Sequence, residues 1–213
     1  IPDIIVSDIM MPVMNGITMC KILKEDVRTS HIPIILLTAK DSLQDKEEGY
    51  QVGADSYLTK PFSATLLHSR INNLLESRKR LTERFNTSTP HHNMDEKRAL
   101  LAESLNKLDN EFIEKINQLI EARLSSEKID IGYLADNMCM SKSTLYRKMK
   151  ALTGLSTNEY VRKIKMQHAE RLLLEGRYNI SEVAFRVGIN SVVYFRQCFK
   201  EEFGVLPSEY LKQ

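Results

Sequence analysis

An acid, a hydroxyl and a lysine mark the ends of three apolar runs near the start of the sequence. Asp8 stands at the end of DIIVSDI (residues 3–9), Thr38 ends IPIILLT (32–38), and Lys60 follows the short run SYL (56–58). A carboxylate can attack phosphorus, while a hydroxyl and an ammonium can hold the phosphoryl oxygens. Each residue alone has a plainer reading: Asp8 caps a turn, Thr38 satisfies a strand end, Lys60 is solvated. Whether they converge depends on the elements beneath them. Continuous apolar runs separated by a helical pattern (Ile17, Cys20 and Leu23) predict parallel strands buried on both faces. Such sheets keep their chemistry at the C-terminal ends of strands. Pro61 restricts Lys60 to an extended or turn conformation and admits a cis bond.

A second chemistry is groove reading. In residues 180–211, Asn179 and Glu182 form a capping-box pair that starts a helix running to about Val187, and Gly188 can take the positive φ of its end. Ser191 caps a following helix with apolar positions Tyr194, Phe195, Cys198, Phe199 and Phe203. Its outward side presents Ser191, Val192, Arg196, Gln197 and Lys200. Residues 131–150 repeat the layout: Leu134, Ala135 and Met138, a turn, then Ser141 capping a helix with Leu145, Tyr146 and Met149 inward. Leu-Ala-Asp answers Val-Ala-Phe, and Leu-Tyr-Arg-Lys answers Tyr-Phe-Arg-Gln. The expected groove-facing residues are Lys142, Ser143, Thr144, Arg147 and Lys148 in the first unit, and Asn190, Ser191, Val192, Arg196 and Lys200 in the second. Arg147 and Arg196 are assigned to bases, the lysines to phosphates.

A helix from the Ser156/Glu159 capping box to Leu174 joins the two units, with Tyr160, Val161, Ile164, Ala169, Leu172 and Leu173 on one face. Arg162, Lys163 and Lys165 fall on its expected solvated face. A rigid joint matters because two recognition helices reach successive major grooves only if held about 34 Å apart.

These pieces carry two resemblances. Residues 126–213 resemble the tandem helix-turn-helix domain of the AraC/XylS transcription regulators, through Gly188, Tyr194-Phe195, Phe199-Lys200, Phe203-Gly204 and Pro207-Ser208-Glu209-Tyr210. Ile189, Leu206 and Gln197 depart from the family pattern. Residues 1–75 resemble the receiver domain of two-component response regulators. On that resemblance Asp8 is the phosphoryl acceptor, Thr38 and Lys60 support the phosphoryl site, Tyr57 is the aromatic switch, and Gly16 closes the loop after the acid. The family's first two strands and its pair of magnesium-binding acids have no counterpart here. Asp8 is therefore an incomplete Mg²⁺ ligand set: the metal is expected for phosphorylation of an intact parent and not bound to this fragment. The fold class implied is an α/β partial receiver, a flavodoxin-like doubly wound sheet without its first two strands, followed by an all-α tandem helix-turn-helix domain.

The totals agree with two domains of ordinary size. The chain has 213 residues, 42% hydrophobic and 27% charged, with no apolar run of membrane-spanning length. Residues 1–75 hold 7 Lys/Arg against 9 Asp/Glu (net −2), residues 76–125 hold 9 and 9, and residues 126–213 hold 14 and 10 (net +4). The positive bias thus falls where the groove-facing helices are. Cys20, Cys139 and Cys198 are scattered in apolar surroundings and predict buried, reduced thiols.

The expected division is 1–75 for the receiver part, 76–108 for a helical connector with a loop at 86–94, and 109–213 for the DNA-binding domain with units at 131–150 and 180–203. Residues 66–85 predict the last receiver helix with a charged extension. His91-His92 in the loop lack a third ligand nearby. Leu101, Leu105 and Leu108 form a stripe that suits a dimer seam, and Asp109 is expected to cap the next helix.

The function expected is a sequence-specific DNA-binding regulator controlled by aspartyl phosphorylation, with an upstream histidine kinase or phosphotransfer domain, double-stranded DNA and a second copy as partners. The alternative is a phosphorylation-independent DNA binder whose receiver remnant is an oligomerisation scaffold. Neither is an enzyme acting on an external substrate. The expected compartment is the cytoplasm, with a membrane-anchored parent if that parent is a hybrid histidine kinase.

Overall fold

The structure, a computed structural model, describes residues 2–39, 51–86, 106–125 and 129–211. The dimer-seam positions Leu101 and Leu105, the His91-His92 pair and residues 87–94 of the expected loop lie outside them.

The first half is a three-stranded parallel sheet with β1 (Ile5–Asp8), β2 (Ile34–Thr38) and β3 (Ser56–Thr59) in that spatial order. The middle strand is the most apolar, and Ile34, Ile35 and Leu36 are fully buried. Helix α1 (Gly16–Glu25) connects β1 to β2 and buries Ile17 and Cys20 against the sheet in one cluster with Ile9, Ile34, Leu36 and Tyr57. Its N-cap is Asn15, whose side chain accepts from the Thr18 amide. Gly16 is required by contact: a Cβ there would overlap the carbonyl oxygen of Asp8. Lys24 closes the far end of the sheet, donating to Ile32 O and pairing with Asp55 at 2.7 Å. A long helix, α2 (Ala64–Asn86), follows β3.

The second half is helical. It contains α3 (Lys107–Glu121), α4 (Ile131–Asn137), α5 (Lys142–Thr153), α6 (Thr157–Leu174), α7 (Ile180–Arg186), α8 (Val192–Phe203) and α9 (Pro207–Tyr210). Four caps expected from the sequence form: Ser141, Ser156 with Glu159, Asn179 with Glu182, and Ser191. The α3 cap differs. Asn106 is the N-cap, accepting from the Asp109 amide, so the Asp109 carboxylate is turned inward instead of capping.

Two cores share one rod. Phe112, Ile116 and Ile120 of α3 pack with Leu134, Leu145, Met149, Tyr160 and Ile164 in the first. Met166, Ala169 and Leu173 pack with Val183, Val187, Phe195, Cys198 and Phe199 in the second. Helix α6 contributes its first half to one core and its second half to the other. The basic face expected to be solvated is partly buried: Lys163 and Lys165 are both 5% exposed, Lys163 pairing with Glu202 at 3.0 Å and Lys165 donating to Gly188 O at 3.3 Å. Their long stems cover apolar surface while their ends tie α6 to the second unit. Arg162 stays half-exposed, 3.6 Å from Glu201. The Tyr210 hydroxyl closes the arrangement on Glu170.

Candidate functional site

The parallel register sets the three residues of the first site side by side. Asp8 is the last residue of β1, Thr38 the last of β2, and Lys60 immediately follows β3. The backbone stitches them together, with Ile9 N donating to Leu37 O and Lys60 N to Thr38 O. Lys60 Nζ lies 2.5 Å from Asp8 Oδ2, across a cis Lys60–Pro61 bond. That hydrogen bond, chiefly, holds the Asp8 carboxyl below the usual carboxylate range. The Asp8 side chain is 36% exposed, so an incoming group can reach it. Thr38 is buried, its hydroxyl donating to Ala39 O at 3.2 Å. Tyr57 is buried in the inner cluster beneath the strand ends.

An ionised oxygen beside a fixed ammonium is the arrangement a phosphoryl acceptor needs. Asp8 on its own is an incomplete ligand set for magnesium. The single carboxylate is already neutralised by Lys60, and among the described residues no three His, Cys, Asp or Glu side chains converge.

The second site consists of α5 and α8. Lys142, Ser143 and Arg147 are exposed and Thr144 is half-buried; Asn190, Ser191, Arg196 and Lys200 are exposed. Two expected positions differ. Lys148 is not on the groove face: it is fully buried, 2.5 Å from Asp109 Oδ1 on α3. Val192 is half-buried and packs against the second core, while its neighbour Val193 is 77% exposed. Val193, which the sequence reading left out, therefore joins the exposed Gln197 on the outward side.

Both differences come from the repeat's register. The first helices align by their caps, Asp130 with Asn179, and the turns match: Met140 N bonds Ala135 O as Ile189 N bonds Ala184 O. The second turn then holds one more residue before its cap, so Ser141 corresponds to Ser191. Leu145 thus answers Phe195, and Lys148 answers the buried Cys198. The expected match of Leu-Tyr-Arg-Lys to Tyr-Phe-Arg-Gln is off by one residue. The same shift exposes Tyr146 and Tyr194, at 49% and 50%, where an inward position was expected. Cys139 is exposed too, because it occupies the left-handed helix-end position (φ 53°) that Gly188 fills in the other unit (φ 67°). The signal for the correct register was available in the cap-to-cap spacing.

Comparison with known proteins agrees with both halves. Residues 1–72 match the response regulator receiver domain, and residues 134–213 match a helix-turn-helix domain. The chain thus combines a response regulator receiver segment with an AraC-type helix-turn-helix domain. Among curated relatives, "Histidine kinase P4" of Formosa agariphila is 36% identical over 210 residues, 99% of this chain and 15% of that protein. "DNA-binding dual master transcriptional regulator RpaA" of Synechocystis is 43% identical over 82 residues, 38% of this chain and 34% of that one. The chain thus spans a minor part of either relative. Among solved structures, the C-terminal domain of AraT, a response regulator from Geobacillus stearothermophilus, is 31% identical with a TM-score of 0.44, covering 47% of this chain and 84% of that one. Among the described residues no helix is long and apolar enough to cross a membrane.

Proposed function

We propose that this chain is the output end of a two-component phosphorelay. Residues 1–75 receive a phosphoryl group on Asp8, residues 76–108 connect, and residues 109–213 read double-stranded DNA. The carboxylate oxygen of Asp8 attacks phosphorus of a phosphohistidine donor, the donor's P–N bond breaks, and an acyl phosphate forms. Lys60 holds a phosphoryl oxygen, and Thr38, at the adjacent strand end, supplies a hydroxyl to another. Mg²⁺ would assist this step where further acids join Asp8 as its ligands. The match of nearly the whole chain to part of a protein named a histidine kinase supports a hybrid parent carrying its own kinase.

The observation that carries the DNA reading is the paired exposure of Arg147 and Arg196 on capped helices joined by a rod that two cores share. Selection from a random duplex pool tests it. Enrichment of a defined sequence, bound with an affinity that falls steeply with salt, is expected. Equal binding of every duplex contradicts it. Loss of the acetyl-phosphate response in the parent on Asp8→Ala, with basal binding intact, is expected of the phosphoryl step. A parent indifferent to acetyl phosphate leaves the receiver as a scaffold only.

A further inference from the structure

Three cations share a cleft with a single acid. The cleft, of about 310 Å³, lies between α2 and α5. Leu75 and Arg78 come from α2, and Tyr146, Arg147 and Lys150 from α5; Asp3 and His31 come from the segments leading into β1 and β2. Spacings of three and four residues put these side chains on one face of each helix.

The charges in the cleft are not neutralised. Among the described residues, Arg78, Arg147, Lys150 and Asp3 make no ion pair and no side-chain hydrogen bond. Arg78 is half-buried, and burial lowers its pKa, so its guanidinium is short of water as well as of a partner. The two carboxylates that act on it, Asp55 and Asp109, are already paired, with Lys24 at 2.7 Å and with Lys148 at 2.5 Å. His31, on the cleft wall, feels the same excess: beyond burial, Lys148, Arg78 and Lys24 all lower its pKa, with Asp109 alone opposing. Its Nδ1 is buried without a hydrogen-bond partner.

An anion seated here would relieve both the repulsion among the cations and the lack of a partner for Arg78. Two guanidinium forks and one ammonium suit a phosphate monoester, whose three terminal oxygens can meet all of them. The cleft holds more than a lone ion. Its volume falls at the small end of the roughly 300–1,000 Å³ range of ligand pockets. The half-exposed Tyr146 ring and the Leu75 side chain offer an aromatic and an aliphatic surface to a flat group. We infer that this cleft binds a phosphate monoester with a flat body, of the size of a nucleoside monophosphate: Arg78, Arg147 and Lys150 hold the phosphate, and Tyr146 and Leu75 flank the ring. Asp3 is left to accept from a sugar hydroxyl. The site does not rest on DNA reading, since Arg78 and Lys150 lie outside the groove-facing set and only Arg147 belongs to both.

The test is calorimetric titration of the whole chain with adenosine monophosphate, beside inorganic phosphate and adenosine. One saturable site is expected, with the monophosphate bound about tenfold or more tighter than either part, because it alone meets the cations and the ring surfaces together. Arg78→Gln and Lys150→Gln should each weaken the monophosphate about tenfold or more. Lys150 is exposed, so its variant keeps the fold and carries the test if Arg78→Gln is unstable. Arg70→Gln, exposed on the same helix and outside the cleft, should match the unaltered chain. Absence of saturable binding, no loss with Lys150→Gln, or adenosine or inorganic phosphate binding as tightly as the monophosphate would each overturn the site. Equal losses with Arg70→Gln and Lys150→Gln would overturn it too, since they would mean a diffuse attraction of anions to basic surface. DNA reading stands under every one of these outcomes.

Discussion

Lys148 Nζ and Asp109 Oδ1 lie 2.5 Å apart with side chains 0% and 3% exposed, an ion pair held in the seam between the first helix-turn-helix unit and the receiver half. The Phe112 ring stands 4.9 Å from the same ammonium. Burial pushes the Lys148 pKa down, and the neighbouring Asp109 carboxylate opposes that shift. Asp109→Ala leaves a buried cation with one fewer partner and should cost about 3–5 kcal/mol in urea unfolding. The double variant Asp109→Leu/Lys148→Met removes both charges and should recover most of that loss. A double variant as unstable as Asp109→Ala would show that packing, and not the unpaired charge, sets the cost.

The recognition helices separate stability from reading. Val192→Ala should cost about 1 kcal/mol of stability, because Val192 packs on the second core. Val193→Ala should leave stability within roughly 0.5 kcal/mol and change only DNA binding, since Val193 is exposed. Arg196→Ala should lose about 1–3 kcal/mol of discrimination at a base position while phosphoryl acceptance is unchanged. Thermal unfolding beside duplex anisotropy checks all three, and a destabilised Val193→Ala would reverse the assignment.

Most of the fold was readable from spacing. Asp8, Thr38 and Lys60 each follow an apolar run, and the parallel register did the rest. The capping residues marked the starts of α5, α6, α7 and α8. What the sequence hid was Lys148. A lysine on a basic helix looks like a phosphate contact, and only the tertiary position of Asp109, 39 residues earlier, shows it to be buried. The one-residue difference between the two turns hid Val193 in the same way, since an ungapped repeat puts every later side chain on the wrong face.

Cys139 marks the place where the first turn lacks the glycine of the second. A non-glycine residue at positive φ carries a steric cost, and its exposed side chain makes no compensating core contact. Cys139→Gly should therefore stabilise the chain by roughly 0.5–1 kcal/mol after the entropy of the new glycine is counted. A lowered unfolding midpoint in urea would contradict this.

His31 makes the seam acid-sensitive. It is 4% exposed, and burial, above all, lowers its pKa from 6.5 to about 4, with Lys148, Arg78 and Lys24 acting in the same direction and Asp109 against it. Because the folded value is depressed, the unfolded chain binds the extra proton between these values. Stability is thus complete well above pH 6.5 and falls as the pH drops toward 4, by about 1.5 kcal/mol between pH 6.5 and 5. His31→Gln should flatten that window in urea titrations at both pH values. An unchanged slope would assign the acid sensitivity to other groups.

The most direct measurement of the central claim, that one chain reads two grooves through a rigid joint, is affinity for the selected duplex with base pairs inserted between its half-sites. Five added base pairs rotate one half-site to the opposite face of the helix, since a turn is about 10–10.5 base pairs. Affinity should drop to that of a single half-site. Ten added base pairs should not restore it, because α6 joins the two cores and cannot lengthen. Affinity unchanged by five base pairs would mean that the two helix-turn-helix units do not read DNA together.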